Sequence, residues 1–380
     1  MAKRTRLGII YSYNENWIGG TYYIHNLLKA LLTIPIELRP SITILTESEE
    51  QFIKLKNEVG YQELSYFPLF ASPSYTIIER IINKLGKAIF KYQVFNKNKT
   101  VVDIAFPVLT AKQEQYGKKK IYWIPDFQDH KQPNFFTEEE RKARADWQLH
   151  ISNQKQIVVF SSEDALSMYK QLYPNHKTYN KIVSFASIHS FNNLPLKKTV
   201  TKKYSLPEKY FMCPNQFWAH KNHIVVIKAL QLLKQEGLEV TAAFTGKEHD
   251  YRNPDYFSQL QRFVITNGLQ ENIKFLGFID RQDQLALIKY ANAIIQPSLC
   301  EGWSTVIEDA KALNKKVIAS NLDVHQEQLG SMGTYFNSLN ERELADILKQ
   351  YYYDEMQVLD YQYEQAIQSF GKNFISAISA

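Results

Sequence analysis

Short apolar runs rich in Ile, Val, Phe and Tyr recur along the chain, separated by stretches whose apolar residues return at helical spacing. Runs at 7–11, 41–46, 100–105, 119–124, 156–161 and 182–186 read as strands of one sheet, and those at 210–213, 239–245, 273–278, 292–296 and 316–320 as strands of another. Ile24, Leu27, Leu28 and Leu31 share one face of a helix opened by Gly19 and Gly20. Ile224, Val225, Ile227, Leu230 and Leu233 do the same further on, and helices are expected also at 141–151, after Ser162, and at 280–290, 341–353 and 361–378. This alternation marks parallel sheets joined by crossover helices, so the fold class is α/β. Residues 192–207 are polar, basic and bracketed by proline, which predicts a linker between domains at 1–191 and 208–357.

One helical pattern stands apart. Between 75 and 99, Ile77, Ile78, Ile81, Ile82, Leu85, Ile89 and Phe90 follow helical spacing among Arg80, Lys84, Lys87, Lys91, Lys97 and Lys99, with no acid after Glu79. Such a helix packs its stripe on its own sheet or lies on an anionic bilayer. Peripheral membrane contact through 77–99 is therefore one partner expectation.

Composition narrows the class. A chain of 380 residues exceeds what one core usually supports. A net charge of +6 suits an anionic substrate or membrane surface, and nucleic acid is not an expected partner. Two cysteines, Cys213 and Cys300, exclude a disulfide framework and agree with a reducing cytoplasm. The N-terminal apolar run is too short for a signal peptide and reads as a first strand; no run approaches the roughly 18–20 apolar residues of a membrane span. The expected location is cytoplasmic, with peripheral attachment at the inner membrane face left open.

The chemistry concentrates at 297–313, PSLCEGWSTVIEDAKAL. An apolar strand closes at Pro297, Gly302 permits a tight turn, and Ser304 or Thr305 can cap the helix that follows. Free amides at a helix N-terminus form a ready anion site. Glu301 beside them cannot neutralise an anion, so its expected work is to accept hydrogen bonds from hydroxyls. A ligand with both sugar and phosphate answers to that combination. Thr305 and Glu308 have capping-box spacing, which assigns Glu308 to structure and leaves Asp309 for the ligand.

The segment resembles the signature of retaining, nucleotide-sugar-dependent glycosyltransferases of family 4 (glycosyltransferase group 1), usually written EGFGxxxxEA. This chain gives Glu301-Gly302-Trp303-Ser304 and ends on Asp309-Ala310, so an aspartate stands where the family has its second glutamate. The resemblance implies the GT-B fold: two Rossmann-like α/β/α domains facing a cleft, with 358–380 crossing back to the first domain. It further implies that Lys221, in His220-Lys221-Asn222-His223, binds the donor diphosphate. The arginine often found five or six residues earlier is replaced by Asn215 and Gln216. The first loop, with Gly19 and Gly20, is expected to face the diphosphate, although a glycine pair equally serves a plain turn. Asp126 lies near the place of a cleft residue that is commonly histidine, with His130 downstream. Gly246 and Phe278 close strands that open toward the same cleft. Asp323 and His325 follow the next strand on the face of the Glu301 loop.

Together these readings assign catalytic roles to Glu301, Lys221 and Asp126. Donor binding falls to Gly19, Gly20, Gln216, Lys221, Gly246, Phe278, Glu301, Gly302, Trp303, Ser304, Thr305, Val306 and Asp309. The implied reaction moves a sugar from a nucleoside-diphosphate sugar to a glycan or lipid-linked acceptor. No Asp-x-Asp metal clamp occurs in the sequence, so neither metal nor cofactor is expected. Two other readings share the architecture: a nucleotide-sugar-binding module without turnover, for which the Asp309 and Gln216 departures speak, and a GT-B epimerase.

Overall fold

The computed structural model describes residues 4–69, 78, 81–82, 84, 101–191, 193–354 and 359–379. The basic pattern at 75–99 lies almost wholly outside them. The first lobe holds seven strands: β1 (Arg6–Ile10), β2 (Ser41–Thr46), β3 (Leu64–Pro68), β4 (Val102–Val108), β5 (Gly117–Ile124), β6 (Ile157–Phe160) and β7 (Tyr179–Ile182). The second holds six: β8 (Phe211–Cys213), β9 (Ala242–Phe244), β10 (Ile273–Phe275), β11 (Ile294–Gln296), β12 (Val317–Ser320) and β13 (Thr334–Phe336). Their orders are β3-β2-β1-β4-β5-β6-β7 and β10-β9-β8-β11-β12-β13, with every pair parallel.

In each sheet the connection order reverses beside the first strand, between β1 and β4 and between β8 and β11. Loops leaving the strand ends at such a reversal form a crevice where ligands of open α/β sheets bind. The loops after β1, β5, β8 and β11 carry most of the expected site residues. The central strands are buried on both faces; Leu7, Ile9, Val158, Phe211, Ile294 and Ile318 are all essentially inaccessible. That explains why they read as continuous apolar runs rather than alternating ones.

Four elements depart from the pattern. β3 and β13 were not expected; both are partly exposed edge strands, and neither carries a long apolar run. β7 occupies 179–182, ahead of the expected 182–186. Val183, Phe185 and Ala186 are buried in the first core, so their hydrophobicity reports packing rather than sheet pairing. Inside 192–207, Lys197–Lys203 forms a helix. Val200 and Leu206 bury against Tyr210, Met212 and Ala286, and Lys203 pairs with Asp283 at 2.5 Å, which draws the basic stretch onto the second lobe. The helix Tyr363–Ser379 sends Phe370, Phe374 and Ile378 into the core of the first lobe. Both cysteines are buried and free.

Several histidines are locked inside this packing. Burial lowers His25 to about 4, and His220 and His223 to about 3 each. A group neutral when folded but protonated when unfolded gives the unfolded state more bound protons. Stability then falls as pH drops below the ordinary value of 6.5. Each such histidine contributes a loss of about 1.4 kcal/mol per pH unit below that value. The melting temperature is therefore expected to fall steadily between pH 6.5 and 4.5; a flat profile there would contradict the neutral assignment.

Candidate active site

The turn after β11 is shaped by a close approach between lobes. A Cβ on Gly302 would lie 2.0 Å from the Pro125 carbonyl oxygen and 2.9 Å from the Asp126 Cβ. Only glycine lets the second lobe's turn rest on the loop after β5. Ser304 then caps the helix Thr305–Ala312, its side chain accepting from the Ile307 amide. The Ser304 amide is taken by Gln328 at 2.9 Å. The amides of Thr305 and Val306 have no acceptor among the described residues. Positive helix-end charge is thus left without a described acceptor where Thr305 lies close to Gly19 of the first lobe.

Glu301 stands beside it. Its Oε1 accepts from the Lys221 ammonium (2.6 Å), the Gln296 amide (2.8 Å) and the Ser298 hydroxyl (2.6 Å). Lys221 reaches it from a 3-10 turn, Ala219–Lys221, that follows β8 and ends at Asn222 in left-handed conformation. Burial works against the Glu301 charge, but the Lys221 ammonium outweighs it and holds the carboxyl below its ordinary range. Glu301 is only 7% exposed, so this charge is fixed in place. Its second oxygen, Oε2, accepts no hydrogen bond among the described residues.

His325 sits behind the pair. Its Nδ1 lies 2.8 Å from the Ser320 carbonyl, which makes it the donor there, and the Ser320 hydroxyl donates to the Ser298 carbonyl at 2.6 Å. Ser298 in turn holds Glu301. Asp323 opens the helix Asp323–Leu329.

Across the crevice, the helix Ile18–Leu31 begins without any side-chain cap. Gly19 faces the Thr305 hydroxyl, 3.7 Å from where a Cβ would stand, while Gly20 is closed over by the Trp17 ring. The first turn of this helix therefore lies close to the start of the capped helix of the second lobe. Asp126 accepts from the Gln128 amide at 3.2 Å and lies 3.5 Å from Arg144, which also reaches Asp129 at 3.5 Å. Gly246 (φ +149°) backs onto Asn215 and Gln216, where a Cβ would meet the Asn215 oxygen at 2.3 Å.

Other expected site residues take different partners. Asp309 is buried and bound twice, by Arg281 at 2.6 Å and His189 at 2.8 Å. Burial alone would raise its pKa; the Arg281 guanidinium and His189 instead bring it down to about 2. Its carboxylate is engaged in this arrangement. Arg281, which also lies over the Tyr22 ring, brings a guanidinium into the crevice that no spacing around Lys221 announced. Trp303 turns its indole toward the first lobe and donates to the Phe185 carbonyl at 3.0 Å, so its side chain serves the contact between lobes. Gln216 donates to the Glu15 carbonyl of the first lobe at 3.0 Å. Phe278 is 57% exposed. The capping box expected of Thr305 and Glu308 is not formed. Ser304 is the cap, and Glu308 instead bonds Lys311 (2.9 Å), Gln328 (3.0 Å) and Tyr363 of the C-terminal helix (2.6 Å). Glu308 is structural through tertiary partners that its own helix turn did not reveal.

The lobes are also clasped at their rims. Glu327 accepts from the Glu163 amide at 3.0 Å, at the N-terminus of the helix Glu163–Leu172, where the Ser162 side chain forms the cap. Arg252 of the second lobe lies 4.1 Å from the Phe136 ring centre of the first.

This arrangement has counterparts. Residues 198–369 match the family model described as glycosyl transferases group 1. The O-antigen chain mannosyltransferase RfbU of Salmonella typhimurium is 27% identical over 174 residues, 46% of this chain and 46% of the relative. The serotype-specific mannosyltransferase WbdA of Escherichia coli is 23% identical over 162 residues, 42% of this chain and 19% of the relative. The chain spans about half, or less, of the length of these curated relatives. Among solved structures, a glycosyltransferase from Rickettsia africae superposes with a TM-score of 0.65 at 16% identity, covering 99% of this chain and 96% of that one. HepE from Anabaena, solved with UDP and glucose, gives 0.64 at 15% identity with the same coverage. At such identities the likeness speaks for the fold: two parallel-sheet lobes across a crevice. Residues 198–369 thus match the group 1 glycosyl transferases, and the chain as a whole has the GT-B fold.

Proposed function

We propose that the protein is a retaining glycosyltransferase that moves a sugar from a nucleoside-diphosphate sugar to a glycan or lipid-linked acceptor, without a metal ion, in the synthesis of a surface polysaccharide or glycoconjugate. The observation that carries this reading is the Lys221–Glu301 pair, 2.6 Å apart at the crevice between the lobes, beside two uncapped amides of the helix Thr305–Ala312. A cation and helix-end dipoles suit a departing diphosphate, and a buried carboxylate whose ionised form Lys221 favours suits sugar hydroxyls. Glu301 Oε2 is the oxygen left for them. As the glycosidic bond lengthens, negative charge grows on the diphosphate oxygen, and Lys221 with the Thr305 and Val306 amides stabilises it. No residue on the donor side is placed as a nucleophile in this reading; the departing phosphate takes the acceptor proton on the same face, which retains configuration. Asp126, at the end of β5, borders the sugar from the first lobe. Closure of the lobes keeps water from the donor.

RfbU and WbdA are named mannosyltransferases, and HepE was solved with UDP and glucose, so nucleoside-diphosphate mannose and glucose head the donors to test. Incubation of the purified protein with a panel of nucleotide sugars, read by mass spectrometry, is expected to show transfer to acceptor or slow donor hydrolysis with one sugar class. Tight binding with no bond cleavage would instead leave a binding module, and isomerised sugar an epimerase. A chelator is expected to leave turnover unchanged; activity lost with chelator and restored by magnesium or manganese would end the metal-free reading. The location that goes with this function is the cytoplasm, with peripheral attachment at the inner membrane face. No helix among the described residues is long and apolar enough to cross a membrane.

A further inference from the structure

A groove of about 590 Å³ opens on the first lobe at the N-terminal ends of β5, β6 and β7, the ends remote from the crevice. Among the described residues four lysines line it, Lys118, Lys119, Lys155 and Lys181, together with Tyr179, and none of the described lining residues is a carboxylate. The sheet register explains why they converge. Ile157 pairs with Ile121 on one side and Tyr179 on the other, which sets the strand starts side by side. The helix Tyr363–Ser379 covers the neighbouring sheet face and ends beside Lys119, whose ammonium donates to the Ile378 carbonyl at 3.3 Å. β7 is the sheet's edge, and Tyr179 is 60% exposed.

Three of these lysines are poorly compensated. Lys118, Lys155 and Lys181 make no ion pair among the described residues. Asp103, which senses the charge of Lys118, is itself held by Arg6 at 3.0 Å. A recess lined by one sign of charge concentrates ions of the other. Ammonium groups suit carboxylates and phosphates as point charges. An exposed tyrosine adds a flat apolar face with a polar tip, against which a sugar ring can lie. The groove is about half open to solvent, and its volume falls within the range of ligand sites.

We propose that this groove binds an acidic oligosaccharide, one bearing carboxylate or phosphate groups along its chain, and so holds the distant part of a glycan whose growing end is in the crevice. The link to the growing end rests on the glycosyl-transfer reading above; binding in the groove does not. An anionic membrane surface fits less well. Among the described lining residues the exposed large apolar side chain is Tyr179, and β5, eight residues long, holds the groove about 26 Å from the crevice.

The test is calorimetric titration of the full chain with a tetrameric oligogalacturonate, with maltotetraose as neutral control and vesicles containing anionic lipid as a third arm. Binding of the oligouronate that weakens with salt, without binding of maltotetraose, is expected. The double variant Lys155→Gln/Lys181→Gln should weaken it about tenfold with an unchanged melting temperature, and Tyr179→Ala should weaken it as well. Glu301→Gln should leave it untouched, so loss of glycosyl transfer and loss of groove binding are read separately. No oligouronate binding, equal binding by wild type and double variant, or capture by vesicles alone would each overturn the proposal.

Discussion

Glu301→Gln is expected to lower turnover by about two to three orders of magnitude while the affinity for the nucleoside diphosphate changes little. The substitution keeps the size and planarity of the side chain but removes the charge that Lys221, Gln296 and Ser298 converge on. A carboxylate accepts through both oxygens; an amide spends one position as a donor, and either Lys221 or the sugar hydroxyls then face a group of the wrong polarity. The diphosphate is expected to rest on Lys221 and the helix amides, which survive the change, so the loss belongs to kcat. Lys221→Ala should behave in the opposite sense, weakening nucleoside diphosphate binding along with the rate. Steady-state kinetics together with calorimetry on the nucleoside diphosphate separate the two. A Glu301→Gln protein with wild-type kcat would remove the carboxylate from the chemistry.

Gly302→Ala is the second large effect. The added methyl carbon would sit 2.0 Å from the Pro125 carbonyl oxygen, and that neighbour is backbone, so no side-chain rotation relieves the contact. Either the turn after β11 or the loop after β5 must retreat. The two lobes then cannot meet as they do here, and the contacts that depend on that meeting loosen with them. These include the Trp303 bond to Phe185 at 3.0 Å and the Asp309 bond to His189 at 2.8 Å. Each lobe keeps its own core, so the protein should stay folded while turnover falls by about a hundredfold or more, because misplacement of about 1 Å already costs that much. Small-angle scattering should show a larger radius of gyration with little change in far-ultraviolet circular dichroism. An unchanged radius and rate would mean that the contact at Gly302 is not needed for function.

Much of the scaffold could be read from local pattern. Buried parallel strands such as β1, β6 and β12 announce themselves because both faces are apolar, and the run continues without interruption. Ser162 was legible as a cap, and Ser304 as one of two candidates beside Thr305, because a cap acts within three residues of itself. Two of the four edge strands were not legible: β3 and β13 are partly exposed and look like loops. The helix Lys197–Lys203 was missed for a related reason. Its lysine-rich sequence resembles a linker, and what holds it is Val200 and Leu206 against a core assembled from residues far along the chain.

Within the site, the sequence by itself determined the order of strand, turn and capped helix, the carboxylate at 301 and the ammonium at 221. Those follow from spacing and side-chain chemistry. Only the tertiary structure decided what each charge meets. It set Lys221 against Glu301 across 80 residues of chain, gave Asp309 to Arg281 and His189, and turned Trp303 toward the first lobe. It also placed four lysines around one groove at the far end of a sheet. Partners of that kind are fixed by strand order and by how the lobes close, and neither leaves a periodic trace along the chain.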